Sequence, residues 1–122
     1  NAPRKPTVTV LPDRSEVVYN DPAMAARLKA ALQRGLGADK VQAIEPTTAS
    51  EDFGVFGREA GAPSVQLRLG AIEPKLFEAL KAKGQLAPGV HTAQFAPDRE
   101  TTLRTGAKAL TLSVLEMLRT AR

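Results

Sequence analysis

Ser64-Val65-Gln66-Leu67-Arg68-Leu69-Gly70 alternates polar and apolar side chains along its length. A period of two puts Val65, Leu67 and Leu69 on one face of an extended chain, and Gln66 and Arg68 on the other. That pattern predicts a half-buried strand. The segments on either side predict helices. Upstream, Ser50 is a good cap, and Glu51 and Asp52 place two carboxylates where a helix N-terminus favours negative charge. The predicted helix runs from Glu51 to Glu59 or Ala60 and ends at Gly61-Ala62-Pro63. Downstream, Glu73-Pro74 opens a short helix through Leu76, Phe77 and Leu80, ended by Gly84.

The same alternation of element types continues outward. Val41-Gln42-Ala43-Ile44 predicts a strand closed by Pro46. Before it, Asn20-Asp21-Pro22 is a strong helix start. Met24, Leu28, Ala31 and Leu32 follow at helical spacing, and Gly35 and Gly37 stop the helix. Thr7-Val8-Thr9-Val10-Leu11 is a β-branched run that predicts a first strand, Pro12 to Ser15 a turn, and Glu16-Val17-Val18-Tyr19 an extended piece or linker. At the other end, a loop from Gln85 to Pro97 holds the only histidine. Asp98 then caps a long helix with an apolar stripe of Leu103, Ala107, Leu110, Val114, Met117 and Leu118. Strands alternating with helices predict an α/β fold, a partial layered sheet with flanking helices. Ligands in such sheets bind beyond the carboxyl ends of the strands. The loops at Pro46–Asp52 and Gly70–Pro97 each follow a strand, so one sheet edge would gather Glu51, Asp52 and His91.

Composition bounds the function classes. Hydrophobic residues make up 43% of 122, enough for the core of one globular domain. No run is apolar for long enough to span a membrane, so no membrane partner is expected. The absence of cysteine excludes disulfides, cysteine nucleophiles and zinc fingers. The net charge of +4 raises the question of nucleic acid. Against it, Lys and Arg are scattered and aromatics are only 4%, leaving few stacking platforms, so no nucleic-acid partner is expected.

His91 lies in Gly89-Val90-His91-Thr92-Ala93-Gln94-Phe95. A neutral imidazole ligates zinc and transfers protons, yet an idle loop histidine is as simple a reading. One histidine cannot hold a catalytic zinc, because such sites use about three protein ligands. Glu51 and Asp52 have oxygens to add, but adjacent carboxylates at a helix start also serve the helix dipole. No Gly-x-Ser-x-Gly elbow or phosphate loop is present. By spacing alone the chain holds parts of a site.

Several segments together resemble the end of one family. They are Val18-Tyr19-Asn20-Asp21-Pro22, Ala49-Ser50-Glu51-Asp52-Phe53, Leu69-Gly70, Val90-His91-Thr92 with Phe95, and Leu103-Arg104-Thr105-Gly106. In this order they resemble the dinuclear zinc metallopeptidases and amidohydrolases that include hippurate hydrolase, N-acyl-amino-acid amidohydrolases and carboxypeptidase G. The resemblance implies the C-terminal portion of such an enzyme. Residues 1–18 would be the last strand of an inserted lid or dimerisation domain and its hinge, and residues 19–122 the closing part of the catalytic domain. It implies two zinc ions in the whole enzyme, with His91 as one metal ligand and Glu51, Asp52 and Thr92 near the active site. The other ligands and the glutamate base would lie upstream, so no catalytic residue and no complete zinc site are expected here.

Two positions depart from the family pattern. Ala93 stands where a proline usually follows His-Thr or His-Ser, and Thr48-Ala49-Ser50 stands where glycines are frequent. The substrate implied is an N-acyl amino acid or small peptide, in a cytoplasmic or exported enzyme. A first strand without its neighbours leaves edge groups unpaired. Residues 1 to about 18 are therefore expected to be disordered or paired with a second copy, which makes a homo-oligomer. The alternative reading is a stand-alone, non-catalytic binding or interaction module.

Overall fold

Asp21 and Pro22 start the first helix as their chemistry predicts. The computed structural model of the chain describes residues 4–10, 17–49 and 51–119. Helix α1 spans Pro22–Leu36, and the Asp21 carboxylate accepts from the Met24 amide at 2.7 Å. The helix passes through Gly35 and ends at Gly37, whose φ of 108° suits glycine. A single 3-10 turn, Ala38–Lys40, follows.

Helix α2 spans Gly54–Ala60 and begins later than the sequence predicts. Phe53 occupies its cap position with no side-chain hydrogen bond, so Glu51 and Asp52 precede the helix and do not form its first turn. The predicted cap, Ser50, lies outside the described residues. Gly61 closes α2 in the left-handed region. Helix α3 spans Pro74–Ala82, where the Glu73 carboxylate accepts from the Lys75 and Leu76 amides at 3.0 and 2.7 Å. Gly84, at φ 66°, then releases the chain into an exposed loop. Helix α4 spans Arg99–Leu118, capped by Asp98 through the Thr101 amide.

The predicted α/β sheet is absent. Among the described residues there are helices and no strand. Thr7–Val10, Val17–Tyr19, Val41–Ile44 and Ser64–Gly70 all lack regular structure. Leu11 and the turn predicted at Pro12–Ser15 lie outside the described residues, as does Glu16. The physical reason is pairing. Alternation states which side chains share a face, but a strand exists only when a neighbour completes its ladder. At Ser64–Gln66 the neighbour is not a strand. Ser64 accepts from the Asp21 amide at 3.0 Å, and the Asn20 side chain takes both backbone groups of Gln66, at 2.8 and 3.1 Å. One asparagine amide thus satisfies donor and acceptor that a ladder would otherwise use.

Among the described residues, helices α1 and α4 form the one substantial α-helix pair. The Gly35 backbone and the Leu112 side chain approach so closely that a Cβ at position 35 would overlap Leu112 Cδ1. The Arg27 guanidinium donates to the Glu116 carboxylate at 3.1 Å. Residue 27 therefore sits by residue 116 and residue 35 by residue 112, an antiparallel arrangement. The core is small: among the described residues only Leu28, Ala31 and Leu32, all on α1, are buried. On α4 the less exposed side carries Thr102, Thr105, Gly106, Ala109, Leu112, Ser113 and Glu116. The apolar stripe lies on the other side, with Leu103, Leu110, Val114 and Leu118 all more than half exposed. The exposed area, 10652 Å² for 13.0 kDa, exceeds by about 4,300 Å² the roughly 6,300 Å² of a self-contained globule.

Candidate functional site

His91 sits at an exposed corner after α3. The Thr92 amide donates to the Gly89 carbonyl at 3.1 Å, and the Thr92 hydroxyl donates to the same oxygen at 2.9 Å. Val90 and His91 are therefore the two central residues of a closed turn. The Phe95 amide donates to the Thr92 carbonyl at 3.2 Å and continues the coil. Through its hydroxyl, Thr92 thus holds the turn that presents His91.

Glu51 and Asp52 are exposed and sit just before α2. The Glu51 carboxylate accepts from the Asp52 amide at 3.0 Å, and the Asp52 carbonyl accepts from the Val55 amide at 3.1 Å. Phe53 and Phe56 stand beside them, ring centroids 6.1 Å apart and tilted by 52°. Phe56 is exposed, so the pair is an aromatic patch on the surface and not a core.

The sheet edge expected to gather Glu51, Asp52 and His91 is not formed. Among the described residues no group of three or more His, Asp or Glu side chains is placed to hold a metal ion. The donors among the described residues therefore do not by themselves fit a catalytic zinc, since such a site needs about three protein ligands.

The best-built polar cluster lies elsewhere. Glu116 is mostly covered, its side chain 13% exposed, and three arginines meet it. Arg27 and Arg34 each approach its carboxylate at 3.1 Å, and Arg119 at 3.5 Å. Arg27 also donates to the backbone carbonyls of Glu116 and Arg119, covering the open C-terminal end of α4. The hydrogen bond from Arg27 holds the Glu116 carboxyl below the usual glutamate range. Partial burial opposes that shift, and the charges of Arg119, Arg27 and Arg34 reinforce it. A shallow cleft beside the cluster is lined by Ala31, Arg34, Gly35, Leu112 and Leu115. Sequence reading misses this cluster because its partners are 82 to 92 residues apart along the chain. The only local sign is the Glu116–Arg119 spacing on one helix.

The chain matches no known protein-family model, and no solved structure matches it. Among the described residues no helix is long and apolar enough to cross a membrane.

Proposed function

We propose that this chain is the C-terminal portion of a zinc-dependent amidohydrolase acting on N-acyl amino acids or small peptides. It contributes His91 as one metal ligand and holds no complete site of its own. The reading is carried by the ordered series of segments around Asn20-Asp21-Pro22, Ser50-Glu51-Asp52-Phe53 and Val90-His91-Thr92. The His91 turn supports it: the imidazole is exposed, and Thr92 holds the backbone beneath it. The surplus surface supports it too, since a self-contained monomeric module of this mass buries far more. The residues present do not fit a zinc pair, so no catalytic step is assigned to them. What they do is present one exposed imidazole on a hydrogen-bonded turn.

The test compares two polypeptides: this chain alone, and the chain with its preceding coding sequence. Alone, it should neither hydrolyse benzoylglycine nor retain two zinc ions per molecule by metal analysis. In the longer polypeptide, His91→Ala should lower zinc content and cut hydrolysis by roughly 100-fold or more, since even residues that only support a ligand are worth 10–100-fold. Two tightly held zinc ions on the short chain would overturn the reading. So would a His91→Ala enzyme with full zinc and full activity.

A further inference from the structure

We infer that the arginine cluster around Glu116 is an oxyanion site, in which the guanidiniums of Arg34 and Arg119 together hold a doubly charged phosphate group. The inference does not depend on the hydrolase reading. Its ground is a charge imbalance. Arg27, Arg34 and Arg119 all approach one carboxylate, and among the described residues none of the three pairs with another acid. Glu116 stays ionised at neutral pH, because the hydrogen bond from Arg27 holds its carboxyl below the usual range. The cluster therefore carries a surplus of two positive charges. By contrast, Arg104 and Glu100 on the same helix balance one to one.

The three arginines are unequally committed. Arg27 serves the fold: it binds Glu116 Oε1 and the carbonyls of Glu116 and Arg119. It thereby covers the negative end of the α4 dipole, which would otherwise oppose an anion. Arg34 gives one hydrogen bond, to Glu116 Oε2, and Arg119 meets the same oxygen only at 3.5 Å. A guanidinium has five N–H donors, so most of those on Arg34 and Arg119 remain available. Their side chains are 61% and 71% exposed, so a solute reaches them.

Their spacing suits a phosphate. Arg34 Nη2 and Arg119 Nη1 lie 3.1 and 3.5 Å from the same Glu116 oxygen. They are therefore at most about 6.6 Å apart, a gap that a tetrahedral oxyanion bridges with one oxygen on each nitrogen. Glu116 is mostly covered while the two guanidiniums are open, so an anion arriving from solvent meets the cations first. The adjoining cleft adds an apolar flank of Leu112 and Leu115. That flank keeps water from one side and strengthens the charged hydrogen bonds. A phosphate group carries about −1.5 to −2 at neutral pH, which matches two surplus cations better than a carboxylate does.

The test is a nuclear magnetic resonance titration of the chain with inorganic phosphate at neutral pH and constant ionic strength, read at the arginine Nε–H signals. Those of Arg34 and Arg119 should move and saturate, while that of Arg104, balanced by Glu100, should stay in place. Arg34→Gln and Arg119→Gln should each weaken binding by about tenfold or more, the worth of one charge-assisted hydrogen bond. Arg104→Gln should leave it unchanged. All three variants should keep the parent's far-ultraviolet circular dichroism spectrum, because none of these residues belongs to the buried core. Acetate should bind more weakly than phosphate, since a single charge leaves one cation unmet. Phenyl phosphate distinguishes the source. Tighter binding than inorganic phosphate assigns the site to a phosphate ester whose body lies on Leu112 and Leu115, and equal binding assigns it to the free ion. Shifts that rise without saturating, or that are as large at Arg104, would overturn the inference. So would acetate binding as tightly as phosphate, or saturation that survives both arginine substitutions together.

Discussion

Glu116 shows what a single side chain does for this molecule. Its carboxylate faces Arg27, Arg34 and Arg119, and its folded pKa is lowered. A lowered folded pKa adds stability that is fully present above the unfolded value, about 4.3, and is lost as pH falls through the folded value. Glu116→Gln keeps the shape and removes the charge. The variant should therefore be less stable than the parent from pH 5 to 8, and the gap should narrow as pH falls from 5 to 3, as read by urea unfolding. A gap of equal size at pH 3 would show that packing, not charge, is what Gln disturbs. Residue-scale signals differ in how legible they are. The Asp21, Glu73 and Asp98 caps are readable because a cap and its helix are neighbours in sequence. The Glu116 partners are not, because nothing near Glu116 announces Arg27. His91 falls between: its type and flanks suggest a ligand, and its turn is local, but the rest of a zinc site is not in reach among the described residues.

Elements tell a similar story with a different failure. Helices α1, α3 and α4 start where Asp-Pro, Glu-Pro and Asp98 place them. The strand expectations fail because a helix closes its own hydrogen bonds and a strand borrows them. Val65, Leu67 and Leu69 have the alternation of a strand, yet Asn20 and Asp21 supply what pairs with the backbone there. On α4 the apolar stripe is legible, but not the side that packs on α1. That side meets α1 through Leu112 and Glu116, with Gly106 lying against Leu69, and no hydrophobicity pattern highlights it. The α1–α4 pair depends on very few side chains. Leu32 is 4% exposed, so Leu32→Ala should cost about 2–3 kcal/mol, the low end for a core leucine because so open a site relaxes easily. Chemical denaturation should show that loss, while Leu86→Ala, on a fully exposed loop position, should change stability by less than about 0.5 kcal/mol. Equal effects would mean that the core is not where the burial places it.

At the scale of the whole molecule, the exposed area is the controlling fact. A chain that buries little on folding exposes little on unfolding. Its heat-capacity change should fall well below the ~1.6 kcal/mol/K usual for this length. Amide exchange should be slow in α1 and in α4 up to Glu116, and fast through the segments 41–49 and 84–97, which carry no regular structure beyond turns. Uniform slow exchange across the chain would contradict a core confined to one helix pair. The segment order that suggests an amidohydrolase and the surface that suggests a missing neighbour are separate observations. They meet only in the view that this stretch is completed by something else.

The loop after Gly84 separates the two halves of that helix pair along the chain, and it is open to proteases. Lys83 is exposed at its start, so a brief trypsin digest should cut there early. The cut would not free the two pieces. Arg27, on the first piece, grips the end of α4 on the second through Glu116 and Arg119, and the Asp98 amide is bonded to the Ala71 carbonyl at 2.8 Å. The nicked chain should migrate as one body on a native gel and as two bands only after denaturation.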